Sequence, residues 1–212
     1  MSDVSPNLVR ELRERTGAGM MDCKKALTEV QGDLDKALVY LREKGLAAAA
    51  KRAGRTAADG VVSSYIHAGG KIGVLIEVNC ETDFVARTSD FQNLVKDLAM
   101  HVAASDPRFI DRDEVTEAVL EEEREISRQQ AKATGKPDAV VEKIVAGKME
   151  KFYQEFCLLE QPFVRDPATS VKDVIHAVIA KTGENIRVRR FVRFVLGQGE
   201  VRIASARPSP SN

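Results

Sequence analysis

Apolar residues recur along this chain in two rhythms, one near 3.6 residues and one of two, and the switches between them outline the elements. At the N-terminus Ser5-Pro6 reads as a helix cap followed by proline at the first helical position. Leu8, Val9 and Leu12 then form one stripe before Thr16-Gly17 ends it. Met20, Cys23, Leu27 and Val30 carry a second helix that starts near Gly19 and closes at Gly32. Asp33 caps a third, with Leu34, Ala37, Leu38 and Leu41 at i, i+3, i+4 and i+7. Three short amphipathic helices with tight turns make a module of about 45 residues, which is marginal as a free-standing fold and suits a docking head. Residues 45–58 are rich in alanine, contain Lys51, Arg52 and Arg55, and read as a helical or partly flexible linker with a boundary near Arg55.

The period then changes to two. Residues 61–66 and 72–80 read as strands joined by the glycine-bearing loop His67-Ala68-Gly69-Gly70-Lys71, with Ile72, Val74, Ile76 and Val78 on one face. A polar turn, Glu81-Thr82-Asp83-Phe84, separates the second strand from a helix that a Ser89/Gln92 capping box starts, that buries Phe91, Leu94, Val95, Leu98 and Val102, and that Asp106-Pro107 stops. Residues 113–158 predict a helical hairpin turning at Thr134-Gly135-Lys136-Pro137. Its sparse seam is Val115, Val119 and Ile126 against Val141, Ile144, Val145, Met149, Phe152 and Phe156, and its run Glu121-Glu122-Glu123 is a solvated face. Ser170 with Asp173 opens a further helix (Val171, Val174, Ile175, Val178, Ile179) that stops at Thr182-Gly183. Residues 186–196 alternate as a strand, Arg187, Arg189 and Arg193 on one side and Val188, Val192 and Phe194 on the other. The fold class expected is α+β: a three-helix head with its linker over 1–54, then a core over 55–199 built from a small antiparallel sheet packed with helices and a projecting hairpin at about 113–158. Residues 200–212 read as a disordered tail.

Composition narrows the function classes. Of the 212 residues 43% are apolar and 30% charged, enough for a core, with no membrane-spanning stretch and no signal for general disorder. Lys plus Arg and Asp plus Glu are equal at 32 each, so no net charge draws the chain to nucleic acid or membranes. Cys23, Cys80 and Cys157 are far apart and form neither a zinc framework nor a disulfide scaffold. With no signal peptide at Met1-Ser2-Asp3-Val4, the expected location is the cytoplasm. There is no Gly-rich phosphate loop, no G-x-S-x-G and no H-E-x-x-H, and His67, His101 and His176 are isolated, so nothing supports an enzyme or a bound metal or cofactor. Binding chemistry is better represented. Phe84 beside Asp83 in a connecting turn must either fold back into the core or enter a partner. Met20-Met21 beside a Gly-x-Gly turn suit adaptable protein contacts, and Arg13, Arg15, Lys24 and Lys25 form either a solvated face or a contact. The basic strand Arg187-Val188-Arg189-Arg190-Phe191-Val192-Arg193 supports a rival reading as an RNA-binding protein, and the head alone a third as a peptide-binding helper.

Two long segments carry a resemblance. Leu12-Arg13-Glu14-Arg15-Thr16-Gly17-Ala18-Gly19-Met20-Met21-Asp22-Cys23-Lys24-Lys25-Ala26-Leu27 closely resembles the N-terminal signature of the bacterial translation elongation factor Ts family, and Val78-Asn79-Cys80-Glu81-Thr82-Asp83-Phe84-Val85-Ala86 resembles its second signature. His101-Val102-Ala103-Ala104-Ser105 and Gln161-Pro162-Phe163 are similar to further family segments. The resemblance implies a UBA-like head and a guanine-nucleotide exchange factor for elongation factor Tu, a GTPase, with no enzyme chemistry of its own. It implies that Thr82, Asp83, Phe84 and Val85 reach the magnesium and phosphate region of that partner, that Arg13, Met20, Met21 and Lys24 dock the head, and that His101 adds a contact from the core. Longer family members carry two related core units where this chain has one. It therefore resembles the short form, in which a homodimer supplies the equivalent surface, with strand edges and residues 191–196 serving the pairing.

Overall fold

The computed structural model describes residues 4–199 and 201–206, and within them the chain forms two compact units, each discontinuous in sequence. One takes residues up to Gly60 with Asn79–Leu94 and Asp173–Arg187; the other takes Val61–Val78, Val95–Lys172 and the segment from Val188 on. That division differs from the boundary expected near Arg55.

In the first unit the three helices of the head are α1 (Pro6–Thr16), α2 (Met20–Glu29) and α3 (Leu34–Arg52). Their ends follow local chemistry. Ser5 accepts from the Asn7 N–H at 3.3 Å, Gly17 takes φ 66° and donates its N–H to the Arg13 carbonyl, and Asp33 accepts from the Lys36 N–H at 3.0 Å. Val9, Leu12, Cys23, Ala26, Leu27 and Ala37 make the shared core. The linker expected at 45–58 is largely helix, because Leu46 and the four alanines after it let α3 continue to Arg52. Helix α8 (Val171–Thr182) belongs to the same unit through its residues from Asp173. A Cβ at Gly45 would meet the Ala180 methyl at 3.7 Å, Arg42 pairs with Asp173, and the Arg52 Nε donates to the Gly183 carbonyl at 2.8 Å.

The second unit holds most of a four-stranded antiparallel sheet in the order β1 (Asp59–Ile66), β2 (Ile72–Cys80), β5 (Arg187–Val195), β6 (Arg202–Ser205). Within the tail expected to be disordered over residues 200–212, residues 202–205 form strand β6 instead. The chain reverses at Gly197, φ 84°, and pairs back on β5 with Phe191 opposite Ala204 and Val192 opposite Ile203; residues 200 and 207–212 lie outside the described residues. Burial along β5 also departs from strict alternation. Val188 and Phe191 are both buried and Phe194 is exposed, so the phase shifts between 188 and 191. A short pair not read from the sequence, β3 (Pro162–Phe163) with β4 (Asp166–Ser170), runs antiparallel.

Helices α6 (Glu117–Lys132) and α7 (Asp138–Phe156) form the expected hairpin. Its seam uses Leu120, Ala131, Val141, Val145, Met149 and Phe152, while Ile126, expected inside, is exposed. At its base the Arg112 guanidinium bonds Glu150 and Glu160 at 2.8–3.0 Å and lies 4.4 Å over the Tyr153 ring. That pairing holds the Glu160 carboxyl below the usual carboxylate range. All three cysteines are free and buried, and burial pushes the thiols of Cys80 up to about 11 and Cys157 up to about 12, which favours the protonated form of these two. No helix among the described residues is long and apolar enough to cross a membrane.

Candidate functional site: an exposed aromatic turn

Strand β2 ends on buried Cys80, whose thiol donates to the Thr82 carbonyl at 3.2 Å. Thr82 is extended (φ −133°, ψ 155°) and caps the single turn α4 (Asp83–Ala86) by accepting from the Val85 N–H. One helical turn can bury only one side. Val85 and Ala86 take the inner side, and Asp83 and Phe84 are left outside. Phe84 is 77% exposed, so the alternative in which it folds back into the core does not hold. A ring of this size in water forgoes about 1.5–3 kcal/mol of burial. Val85, expected among the contacts, is 4% exposed and anchors the turn instead. The Asp83 carboxylate pairs with Arg87 at 2.7 Å, both side chains mostly in solvent.

The next helix, α5 (Ser89–Ser105), is capped one residue earlier than expected. Thr88 accepts from the Phe91 N–H at 3.3 Å, and Gln92 turns back to the Ala86 carbonyl at 2.6 Å. Met20 and Met21 stand at the start of α2, 51% and 75% exposed, and Arg13 and Lys24 are exposed on α1 and α2. Asp22 between them is held by Lys44 at 2.6 Å. These residues and the Phe84 turn belong to one compact unit.

His101 belongs to the other unit and corrects the expectation of a direct contact: its side chain has no accessible surface. The Val164 N–H can only donate, so it fixes Nδ1 as an acceptor at 3.2 Å. The proton is therefore on Nε2, which donates to the Gln161 Oε1 at 2.8 Å. The Gln161 amide in turn donates to the carbonyls of Ser105 and Glu155. Burial lowers the His101 pKa against the opposing effect of Gln161, so the ring stays neutral.

The sequence reading missed Glu184 and Asn185. They lie just beyond the glycine that ends α8, and Glu184 accepts three hydrogen bonds from Glu81 and Thr82. The available signal was a polar pair after a helix-stopping glycine, too common a pattern to single out.

The sequence model described as Elongation factor TS matches residues 17–198. An elongation factor Ts of Moorella thermoacetica is 65% identical over 91% of this chain and 95% of its own length, and one of Desulforamulus reducens is 61% identical over 94% and 92%. A third, of Thermoanaerobacter sp., is 62% identical over 92% of this chain and 96% of its own. With an exposed Asp-Phe turn, an exposed Met-Met pair and that similarity along nearly the whole chain, the protein belongs to the elongation factor Ts family of translation factors.

Proposed function

We propose that the chain acts in the cytoplasm as a guanine-nucleotide exchange factor for the GTPase elongation factor Tu, releasing GDP so that GTP can rebind. The observation that carries this reading is Phe84, a large apolar ring 77% exposed on a turn whose other side is anchored. Tight diphosphate binding depends on phosphate-cradling N–H groups and on a magnesium ion that neutralises charge. Asp83 would bring negative charge to the partner's magnesium region, and Phe84 would enter an apolar slot and displace a helix. Burying Phe84 is worth about 1.5–3 kcal/mol, whereas shifting a two-state balance by about 10⁴ takes roughly 5.5 kcal/mol of differential binding. The head, through Arg13, Met20, Met21 and Lys24, supplies further contacts that favour the nucleotide-free partner. Linkage then requires GDP to weaken factor binding by the ratio in which the factor weakens GDP binding. No covalent step occurs, and the chain needs no cofactor.

Pairing of two chains fits the same reading. The sheet exposes Val62, Leu75 and Ile203 around one apolar groove, and Phe194 and Leu196 are also exposed. Nucleic acid fits it less well, because three arginines of β5 already have protein partners: Arg190 has Glu77 at 2.6 Å, Arg193 the Ala103 carbonyl and Asp106, and Arg189 the Ala206 carbonyl. The test is release of labelled GDP from elongation factor Tu with and without the chain. Acceleration that depends on factor concentration is expected, and an unchanged rate overturns the proposal. Sedimentation at micromolar concentration is expected to give a dimer, and a monomer throughout removes the pairing alone.

A further inference from the structure

The turn that carries Asp83 and Phe84 is gripped from outside its own helix. Glu184 Oε2 accepts from the backbone N–H of Glu81 at 3.1 Å and of Thr82 at 3.0 Å, and Oε1 accepts from the Thr82 hydroxyl at 2.6 Å. Asn185, only 4% exposed, donates its backbone N–H to the Glu81 carboxylate at 2.6 Å. Its side-chain amide donates to the carbonyls of Ala53 at 3.4 Å and Arg55 at 2.8 Å, just past the end of α3. The Arg55 guanidinium returns to the Glu81 carboxylate at 3.6 Å. Two consecutive residues after α8 thereby join the last helix of the head to the aromatic turn.

We propose that Glu184 and Asn185 are positioning residues, a polar clasp that holds the Thr82-Asp83-Phe84 turn in its presented form and ties it to the end of α3, so that head and turn meet one partner as a preset pair. The inference rests on the exchange reading above. A helix of four residues is far below the length that sustains itself, and its own cap is one long bond from Val85 to Thr82. Without Glu184 the N–H groups of Glu81 and Thr82 lose their acceptor, and the turn samples other conformers. Apparent affinity falls in proportion to the fraction of molecules that present the binding conformer. A brace with a purely structural task would lower stability without any coupling to Phe84. A clasp acts only through the turn.

That difference sets the experiment: labelled GDP release from elongation factor Tu, measured for Glu184→Ala, Phe84→Ala, the double variant and Glu184→Gln, together with amide hydrogen exchange at Glu81 and Thr82. Glu184→Ala is expected to slow release about tenfold and to speed amide exchange at both positions. Glu184→Gln is expected to restore most of the rate, because its carbonyl can face the two N–H groups while its amide faces the Thr82 hydroxyl. The double variant is expected to be slower than Phe84→Ala by much less than the factor that Glu184→Ala costs the parent, because only the part of the turn that Asp83 contributes remains to be lost. Glu81→Ala, which removes the carboxylate held by Asn185 and Arg55, is a second variant with the same expected direction should Glu184→Ala fail to fold. Parental release by Glu184→Ala and Glu81→Ala while Phe84→Ala is defective overturns the clasp, and so does a double variant slowed by the product of the single effects. Parental release by Phe84→Ala overturns the role of the turn on which the clasp acts, and no acceleration of release by the parent chain overturns the exchange reading beneath it.

Discussion

Phe84 and His101 were both expected to face a partner, and the structure treats them in opposite ways. Phe84 stands in water on a turn whose neighbours Val85 and Ala86 are buried. His101 is sealed, with both ring nitrogens satisfied by Gln161 and Val164. Resemblance picked out both residues because each lies in a family segment, but it could not separate a side chain left in solvent from one sealed in the core. The separating quantities are burial and hydrogen-bond saturation. A saturated buried ring has no polar group left to offer, whereas an exposed phenyl has most of its burial energy still unrealised.

Two phenylalanines differ most sharply in what their loss should do. Phe91 is fully buried, and Phe91→Ala is expected to cost about 3–5 kcal/mol in urea unfolding. Phe84→Ala is expected to melt within a few degrees of the parent yet slow GDP release from elongation factor Tu roughly ten- to a hundred-fold. A large stability loss from Phe84→Ala with normal exchange would reverse the roles assigned here.

His101→Ala is expected to fall between these, near 3 kcal/mol, because it leaves the Gln161 oxygen and the Val164 N–H unpaired in a cavity. Its effect on exchange should follow the loss of folded protein and no more, which titration of exchange against the folded fraction will check.

Acidification sharpens the same point. Burial holds the folded His101 pKa below the ordinary 6.5, so the unfolded chain takes up this proton first. Its contribution to stability is complete above about pH 6.5 and falls as the pH drops through the window beneath. Urea midpoints are therefore expected to decrease as the pH falls below about 6.5, and His101→Gln to flatten that slope. A slope unchanged by His101→Gln would assign the titration to another group.

The smallest stability effect belongs to Asp83→Asn, below about 1 kcal/mol, because the pair with Arg87 is mostly in solvent. Its exchange defect is expected to shrink when magnesium is chelated, while that of Phe84→Ala persists. Equal rescue of both would show that charge and shape are not divided between these residues.

By itself the sequence determined the local elements and the family. The three helices of the head, the β1–β2 hairpin and the α6–α7 hairpin could be read because their apolar spacing and caps are local signals, and the two signature segments named the relatives. Less of the rest was legible. The tail segment at 202–205 becomes β6 only because β5 offers it an edge, and Ile126 is exposed because Leu120 and Ala131 fill the seam. The clasp joins Glu184 to Thr82 across 102 positions of chain, and the knot at His101 joins it to Gln161 across 60. Hydrogen bonds at such separations leave no periodicity in a sequence. Which of two candidate side chains points outward was decided only when distant segments came together, because burial is a property of the packed chain and not of the residue.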